Sequence, residues 1–211
     1  MRKTVYIVIA FLLTLAGSWF YVNHMIRSNL VKMINSDPDR NYNFEVGSIN
    51  ASIFSGDVVL KHVRIEPVTD TIGVILTARV TRAEMNDVDL VSLITGKSLV
   101  IGRLIFLGPE FNLEILEKTD DETSKKGRMQ TLFGEILSRG KINEFRIQNG
   151  TMRATKPEFG DKEFLLVQNY NLFANEIETD SLQWDHQVPF KMGSFSTSMD
   201  SVVYRIDTNT V

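Results

Sequence analysis

Leu90 to Ile115, with the sequence LVSLITGKSLVIGRLIFLGPEFNLEI, decides the fold of this chain. The stretch begins with a short apolar segment of helical character, and a Gly-Lys turn follows it. Two β-rich runs then flank the pair Gly108-Pro109, whose residue types are typical of turns. The order of features predicts a short helix followed by two strands.

A second stretch, Leu132 to Ala154 (LFGEILSRGKINEFRIQNGTMRA), repeats that order. Repeated segments of this kind indicate a fold built from stacked units of one type. In each copy the spacing of apolar residues departs once from strict alternation, as a β-bulge would require. The matched apolar positions are Ile101, Leu104, Phe106, Phe111, Leu113 and Ile115 in the first copy, and Ile142, Phe145, Ile147, Met152 and Ala154 in the second.

The two copies predict a pair of hairpins that turn at Gly108-Pro109 and at Asn149-Gly150. Short helices are expected over Leu90 to Thr95 and Thr131 to Ser138. The predicted fold class is therefore mainly β with an N-terminal transmembrane helix. Its sheet is expected to be strongly curved, mostly antiparallel and groove-like, and to be built from repeats that carry short helices.

The N-terminal run Val5 to Val22, VYIVIAFLLTLAGSWFYV, contains no charged residue and follows Arg2 and Lys3. At a rise of 1.5 Å per residue it covers roughly 27 Å, which is close to the hydrocarbon thickness of a bilayer. The positive-inside rule then places the N-terminus in the cytoplasm. A cleaved secretory signal is the alternative, because Ala16-Gly17-Ser18 has the form of a processing site. The apolar run continues beyond that site, which favours a retained anchor.

A juxtamembrane helix is expected over His24 to Asn35, with Asp37-Pro38-Asp39 ending it. Residues 1–36 then form the anchor, and residues 37–211 form an exported β-rich repeat domain. Further strands are predicted across Phe44 to Ile65 and at four later sites. The four are Phe164 to Val167, Leu172 to Ile177, Phe190 to Phe195 and Val202 to Ile206. The last would leave an open sheet edge, which a protein partner or further sequence is expected to cover.

The composition argues against several classes of function. The chain has no cysteine, so it has neither disulfides nor thiolate chemistry. Its net charge of −3 gives no general attraction to nucleic acid. The histidines His24, His62 and His186 lie far apart, and Asp185-His186 lacks the other signatures of a triad. We therefore expect no enzyme activity, no metal site and no cofactor.

The polar run Glu117 to Arg128 is interpreted as a solvated loop. A calcium site is the alternative reading of its acidic residues, Asp120, Asp121 and Glu122. These residues are adjacent, whereas the ligands of an EF-hand loop are spaced at intervals and accompanied by a glycine.

The order of anchor, FEVGSINASIFSGDVVLKHVRIEP (Phe44 to Pro67) and Leu90 to Ile115 resembles the N-terminal region of AsmA-like proteins, which are relatives of TamB. The resemblance covers roughly residues 1 to 155. It implies a single-pass protein of the bacterial inner membrane whose periplasmic part forms a taco-shaped groove. It also implies a role in phospholipid transport or outer-membrane biogenesis. Members of the family are commonly several times longer than this chain.

An apolar groove could hold the acyl chains of membrane phospholipid without any catalytic group. The expected lining consists of alternating strand positions in the two repeats, although each of these residues could equally belong to an ordinary core. A membrane-anchored scaffold that binds a protein partner by strand addition is the alternative function. The candidate lining residues are Phe106, Phe111, Leu113, Ile115, Phe145, Ile147 and Met152.

Overall fold

A computed structural model describes residues 2–35, 42–52, 55–68, 74–95, 98–115, 140–159, 163–178 and 192–205. The predicted helix over Thr131 to Ser138, the loop Glu117 to Arg128 with its alternative calcium site, and Asp185-His186 lie outside these residues. The described part is mostly β-strand, and it begins with one long helix.

The structure contains two α-helices and nine strands in its described part. The helices are α1 (Arg2–Ile34) and α2 (Leu90–Thr95). The strands are β1 (Tyr42–Ser52), β2 (Asp57–Pro67), β3 (Val74–Val88), β4 (Leu99–Leu107), β5 (Glu110–Ile115), β6 (Gly140–Thr155), β7 (Glu163–Glu178), β8 (Ser194–Ser198) and β9 (Ser201–Tyr204). The predicted short helix over Leu90 to Thr95 and the predicted helix from His24 are confirmed, the latter as the end of α1.

All nine strands belong to one sheet with the order β1-β2-β3-β4-β6-β7-β8. Strand β5 continues the line of β4 and pairs with β3 and β6, and β9 continues the line of β8 and pairs with β7. Seven of the nine pairings are antiparallel, whereas β6 runs parallel to both β4 and β5. The prediction of a mostly antiparallel sheet is therefore confirmed, and the exception is the parallel junction between the two repeat copies.

The two predicted hairpins are wrong. Strands β4 and β5 both pair with β3 and β6, so the chain does not reverse at Gly108-Pro109. Asn149-Gly150 lies inside β6. Between β4 and β5 the pairing with β6 continues through two hydrogen bonds of 2.8 Å, from Gly108 N to Gln148 O and from Thr151 N to Pro109 O. Gly108 and Asn149 have positive φ, so each absorbs an irregularity without turning the strand, as a bulge does.

The parallel register places matched positions of the two sequence copies side by side. Equivalent positions of two strands that share register and direction face the same side of the sheet. The observed partners are Ile101 with Ile142, Leu104 with Phe145, Phe106 with Ile147, Phe111 with Met152, and Leu113 with Ala154. The alignment found in the sequence is thus also the alignment of neighbours in the sheet.

Later strands differ from the sequence prediction in length. The two runs predicted from Phe164 to Ile177 form the single strand β7. Strand β8 begins at Ser194, so only its first residues overlap the predicted run that ends at Phe195, and β9 occupies Ser201 to Tyr204. Phe190 and Ile206 lie outside the described residues.

The C-terminal third of α1 packs on the sheet. Ile26 and Leu30 are fully buried in the same apolar cluster as the strand residues. Ala51 N donates to Asn23 Oδ1 at 3.0 Å, and Asn35 bonds both the N–H and the C=O of Phe44 at 3.0 and 2.9 Å. The helix therefore runs antiparallel to β1 and satisfies part of its free edge.

Helix α2 lies against α1 at the end of the sheet near Asn23. Asn29 Nδ2 donates to Ile94 O at 2.6 Å, and Leu93 is fully buried. Asp89 caps the helix, because its carboxylate accepts hydrogen bonds from the backbone N–H and the hydroxyl of Ser92. These bonds lower the pKa of Asp89.

Candidate functional site

The seven candidate lining residues lie in β4, β5 and β6, on one face of the sheet. Residues that stand directly opposite each other in a sheet project to the same side. Phe106 lies opposite Ala83 and Ile147, and Phe111 lies opposite Ala78. Because Ala83, Ala78 and Ile147 are buried, this is the face that carries the core, and it is called the inner face below. Leu113, Ile115 and Met152 also lie on the inner face. Leu113 and Ile115 alternate with Phe111 along β5, and Met152 stands opposite Phe111.

The candidates divide into two groups by burial. Phe145 and Ile147 are 3% and 5% exposed and belong to the core. Phe106 packs edge-to-face on Phe145, with the ring centroids 5.3 Å apart and the planes at 88°. The remaining candidates are only half-buried, and they form a stripe along the inner face: Phe106, Phe111, Leu113, Ile115 and Met152. This set is called the inner stripe.

The opposite, outer face is polar in the same region. Glu144 Oε1 lies 2.7 Å from the Nε atoms of both Arg103 and Arg146, and Arg82 pairs with Glu84 at 2.7 Å. The Arg146 guanidinium also lies over the ring of Phe173, 5.4 Å from its centroid. The sheet is therefore amphipathic, with apolar side chains on one face and ion pairs on the other.

The pKa of Glu144 is lowered. Partial burial acts to raise it, but hydrogen bonds and charge from Arg146 and Arg103 outweigh that effect. The carboxylate therefore stays ionised between two cations, and it links β4 to β6 across their parallel junction. Its role is structural, since it lies on the face away from the inner stripe.

The inner face extends beyond the residues that the sequence singled out. Tyr170 and Leu172 of β7 are half-buried and pack on the core cluster. At the far edge Tyr204 contacts Phe164 edge-to-face at 6.0 Å, and Phe164 stacks on Phe159 at 5.8 Å. Lys156 Nζ lies 4.7 Å from the Phe164 ring centroid. The sequence signal is weak only at β8, because its sequence SFSTS contains a single apolar residue.

Helix α1 is long and apolar enough to span a bilayer by length and composition. The span that meets this criterion is Val5–Lys32, with a mean hydropathy of 2.0, and none of its most apolar window is buried in the protein. Val22, at the end of the uncharged run, is half-buried and packs against the core cluster. The apolar surface of the helix therefore continues directly into the core.

Among the described residues, no group of three or more His, Asp or Glu side chains is placed to hold a metal ion. His24 lies exposed on α1 and His62 lies exposed on β2. His62 has a φ of 55° and stands at an irregular position of its strand. These two histidines are therefore surface residues that do not converge on a common site.

Comparison with models of known protein families finds none that matches this sequence, and comparison with curated proteins finds no significant match. The resemblance to AsmA-like proteins therefore stays a prediction that depends on the residues quoted for it.

Proposed function

We propose that this chain is a membrane-anchored protein whose inner face holds phospholipid acyl chains and lets them move between the bilayer and more distant parts of the sheet. The observation that carries the proposal is the inner stripe, a run of half-buried apolar side chains on the face that also meets the exposed apolar helix. A curved, groove-like sheet of the AsmA-like type would make this face concave.

The physical basis is the hydrophobic effect. Removing hydrocarbon from water is favourable by about 0.8 kcal/mol for each CH₂ group, and it requires no directional contact. A lipid tail can therefore slide along a row of Phe, Leu, Ile and Met side chains without meeting a high barrier. The ionised residues Arg103, Glu144 and Arg146 lie on the outer face, where they do not interrupt that path.

The position of α1 supports entry of lipid from the membrane. Asn23 is bonded to Ala51 and Asn35 is bonded to Phe44, so the sheet follows directly from the end of the apolar run. A rigid connection of this kind would hold the end of the sheet near Ala51 close to the bilayer surface. In the proposed arrangement the N-terminus is in the cytoplasm, the anchor lies in the bacterial inner membrane, and the sheet lies in the periplasm.

Site-specific photo-crosslinking tests the proposal. A photoreactive residue is placed at Phe111 or Leu113 of the inner stripe, and the matched control is Asn112, which lies between them and faces the outer side. The protein is irradiated in its native membrane. We expect phospholipid adducts at positions 111 and 113 and few at position 112. Equal labelling at all three positions, or adducts with protein alone, would contradict the proposal.

A charge substitution gives a second arm. Leu113→Asp places a carboxylate in the apolar path, where an unpaired charge costs several kcal/mol. Asn112→Asp adds the same charge on the outer face. We expect Leu113→Asp to abolish crosslinking from position 111, whereas Asn112→Asp leaves it unchanged. Both variants must retain the thermal unfolding midpoint of the parent within a few degrees for the comparison to be used.

A further inference from the structure

The two edges of the sheet differ in how their backbone groups are covered. At one edge, Asn23 and Asn35 of α1 bond the backbone of β1. At the other edge stand the short strands β8 and β9, and no described strand pairs with their outer side. This second edge, Ser194 to Tyr204, is called the open edge.

Alternate backbone groups of β9 point away from the sheet. Arg205 N donates to Phe164 O at 2.8 Å, and Val203 and Ser201 follow in register with Leu166 and Gln168. In an antiparallel pair, successive residues direct their N–H and C=O alternately toward and away from the partner strand. The N–H and C=O groups of Val202 and Tyr204 therefore face outward from β7.

Several large apolar side chains are exposed along the open edge and just before it. Six of the eight large hydrophobic side chains that are exposed outside α1, among the described residues, lie between Met192 and Tyr204. Phe195, Val202 and Tyr204 are 63%, 51% and 60% exposed. They stand opposite Ala174, Val167 and Leu165 of β7, so they extend the inner face to the limit of the sheet.

The open edge also lacks the features that normally prevent strand pairing. Proteins protect exposed edges with lysine, proline or inward-pointing charges. The sequence from Met192 to Tyr204, MGSFSTSMDSVVY, contains no lysine, arginine or proline, and Asp200 is its only charged residue. Asp200 is held at the break between the two strands, where its carboxylate accepts a hydrogen bond from Asn169 Nδ2 at 2.9 Å.

We propose that the open edge binds an extended segment of a partner polypeptide, which adds to β8 and β9 as a further strand of the sheet. An acyl chain would cover the apolar side chains but could not bond the outward N–H and C=O groups, whereas a strand does both. The segment needs apolar side chains at alternate positions, since those positions continue the inner face beyond Phe195, Val202 and Tyr204.

A separate polypeptide fits this edge better than a second copy of the chain. The edge itself offers two strands of 5 and 4 residues, interrupted at Met199-Asp200. Two such interrupted edges give each other only short pairings, whereas one continuous segment can pair with both strands. The segment therefore needs apolar residues at alternate positions, with one interruption in the middle that matches the interruption between β8 and β9. Strand β2, DVVLKHVRIEP, has this pattern: two exposed residues separate the buried pair Val58 and Leu60 from the buried pair Val63 and Ile65.

A fluorescein-labelled peptide with the sequence of Asp57 to Pro67 serves as the probe. Its binding to the detergent-solubilised full chain is measured by fluorescence anisotropy. The test variant is Val202→Pro, which removes an outward N–H that the fold does not use, and proline is tolerated on an edge at such positions. We expect the parent chain to bind the peptide and Val202→Pro to weaken binding at least about tenfold, while the circular dichroism spectrum stays unchanged.

Backbone methylation of the peptide provides an arm that is independent of the variant's folding. The amides of an extended peptide fall into two alternating sets, which face opposite sides of the strand. One test peptide is N-methylated on the first set, and a second peptide is N-methylated on the other set. Since only one set faces the open edge, one peptide should fail to bind and the other should retain affinity. Equal affinities for the two peptides, no binding to the parent chain, or full binding to Val202→Pro would overturn the proposal.

A second copy and lipid are tested as other occupants. The chain has no native cysteine, so Ser201→Cys introduces a single thiol at the open edge. If disulfide-linked dimers form efficiently without peptide, the occupant of the open edge is a second copy of the chain, and the proposal of a partner segment is wrong. Slow hydrogen exchange at Val202 and Tyr204 in phospholipid vesicles without peptide would likewise overturn the proposal. The lipid proposal is tested by crosslinking at Phe111, which does not involve the open edge. Either proposal can therefore fail while the other holds.

Discussion

Gly102 of β4 and Asp87 of β3 lie between the paired positions Asn86–Arg103 and Val88–Ile101, and a Cβ atom at position 102 would stand 2.6 Å from the Cβ of Asp87. Asp87 has a φ of 52°, a conformation that is uncommon for residues other than glycine. The same arrangement recurs where Gly47 faces His62, at 3.1 Å. At these two positions the irregular residue on one strand packs closely against a glycine on the neighbouring strand.

The pair predicts a strongly non-additive double-mutant cycle. Gly102→Ala should destabilise the protein by about 1–3 kcal/mol, since the new methyl group overpacks against the Asp87 side chain. Asp87→Gly removes that side chain and permits the positive φ, so Gly102→Ala should cost less than about 1 kcal/mol in the Asp87→Gly background. Chemical denaturation of the four proteins measures the coupling.

The control is Asp87→Asn, which keeps the Cβ atom and a residue type that tolerates positive φ. Gly102→Ala should remain costly in that background. If its cost is the same with glycine and with asparagine at position 87, the steric relation between the two positions is not the cause.

The end of the anchor helix is predicted to be part of the folded domain. Leu30 is fully buried, so Leu30→Ala should lower the free energy of unfolding by about 2–5 kcal/mol. Leu13 lies on the same helix and is 68% exposed, so Leu13→Ala should leave the unfolding of the sheet unchanged. Thermal unfolding in detergent, followed by circular dichroism, compares the two. Equal midpoints would show that α1 does not contribute to the core.

The ion pairs on the outer face predict a dependence of stability on pH. Because the folded-state pKa of Glu144 is lowered below its unfolded value of about 4.3, its contribution is present above that pH and is lost as the pH falls through the folded pKa. The effect should be small, about 1 kcal/mol or less, since Arg103 and Arg146 are well exposed. We expect Glu144→Gln to unfold at a lower temperature than the parent near pH 7.

The difference between Glu144→Gln and the parent should shrink as the pH falls through the lowered folded-state pKa of Glu144, where the parent carboxylate becomes protonated. Added salt at pH 7 should also reduce it, because these charges are screened by solvent. A difference that stays constant from pH 7 to pH 3 would show that the substitution acts through packing and not through charge.

The sequence repeat predicts two similar units, but neither the pairing of their matched residues nor the relative direction of their strands. The matched positions Leu104 and Phe145 do stand side by side. Similarity between two copies is equally compatible with parallel and antiparallel placement, so the parallel junction of β4 and β6 could not be read from it. Residue types such as Gly-Pro and Asn-Gly likewise occur in both turns and bulges, so the sequence alone does not distinguish the predicted hairpin turn at Gly108-Pro109 from the observed bulge.

The candidate site could be predicted in part. Alternation within the two copies identified seven residues that share the inner face, since that property depends only on strand periodicity. Periodicity does not tell how deeply a residue is covered, so it could not separate the buried Phe145 from the half-buried Phe111. It also missed Phe195, because the serine-rich strand β8 shows almost no apolar pattern and its face is set by pairing with β7.

That division of the inner face leads to the last prediction, which compares Phe145→Ala with Phe111→Ala. Phe145 is 3% exposed and packs on Phe106, so its truncation should cost about 3–5 kcal/mol of stability.

Phe111 is only half-buried, so its truncation should cost clearly less in stability while still removing part of the proposed lipid path. We therefore expect Phe111→Ala to reduce phospholipid crosslinking from position 113 in a protein whose unfolding midpoint changes little. Phe145→Ala should lower the midpoint strongly. If both variants lose the same stability and Phe111→Ala leaves crosslinking intact, the inner stripe is ordinary core and the lipid proposal is wrong.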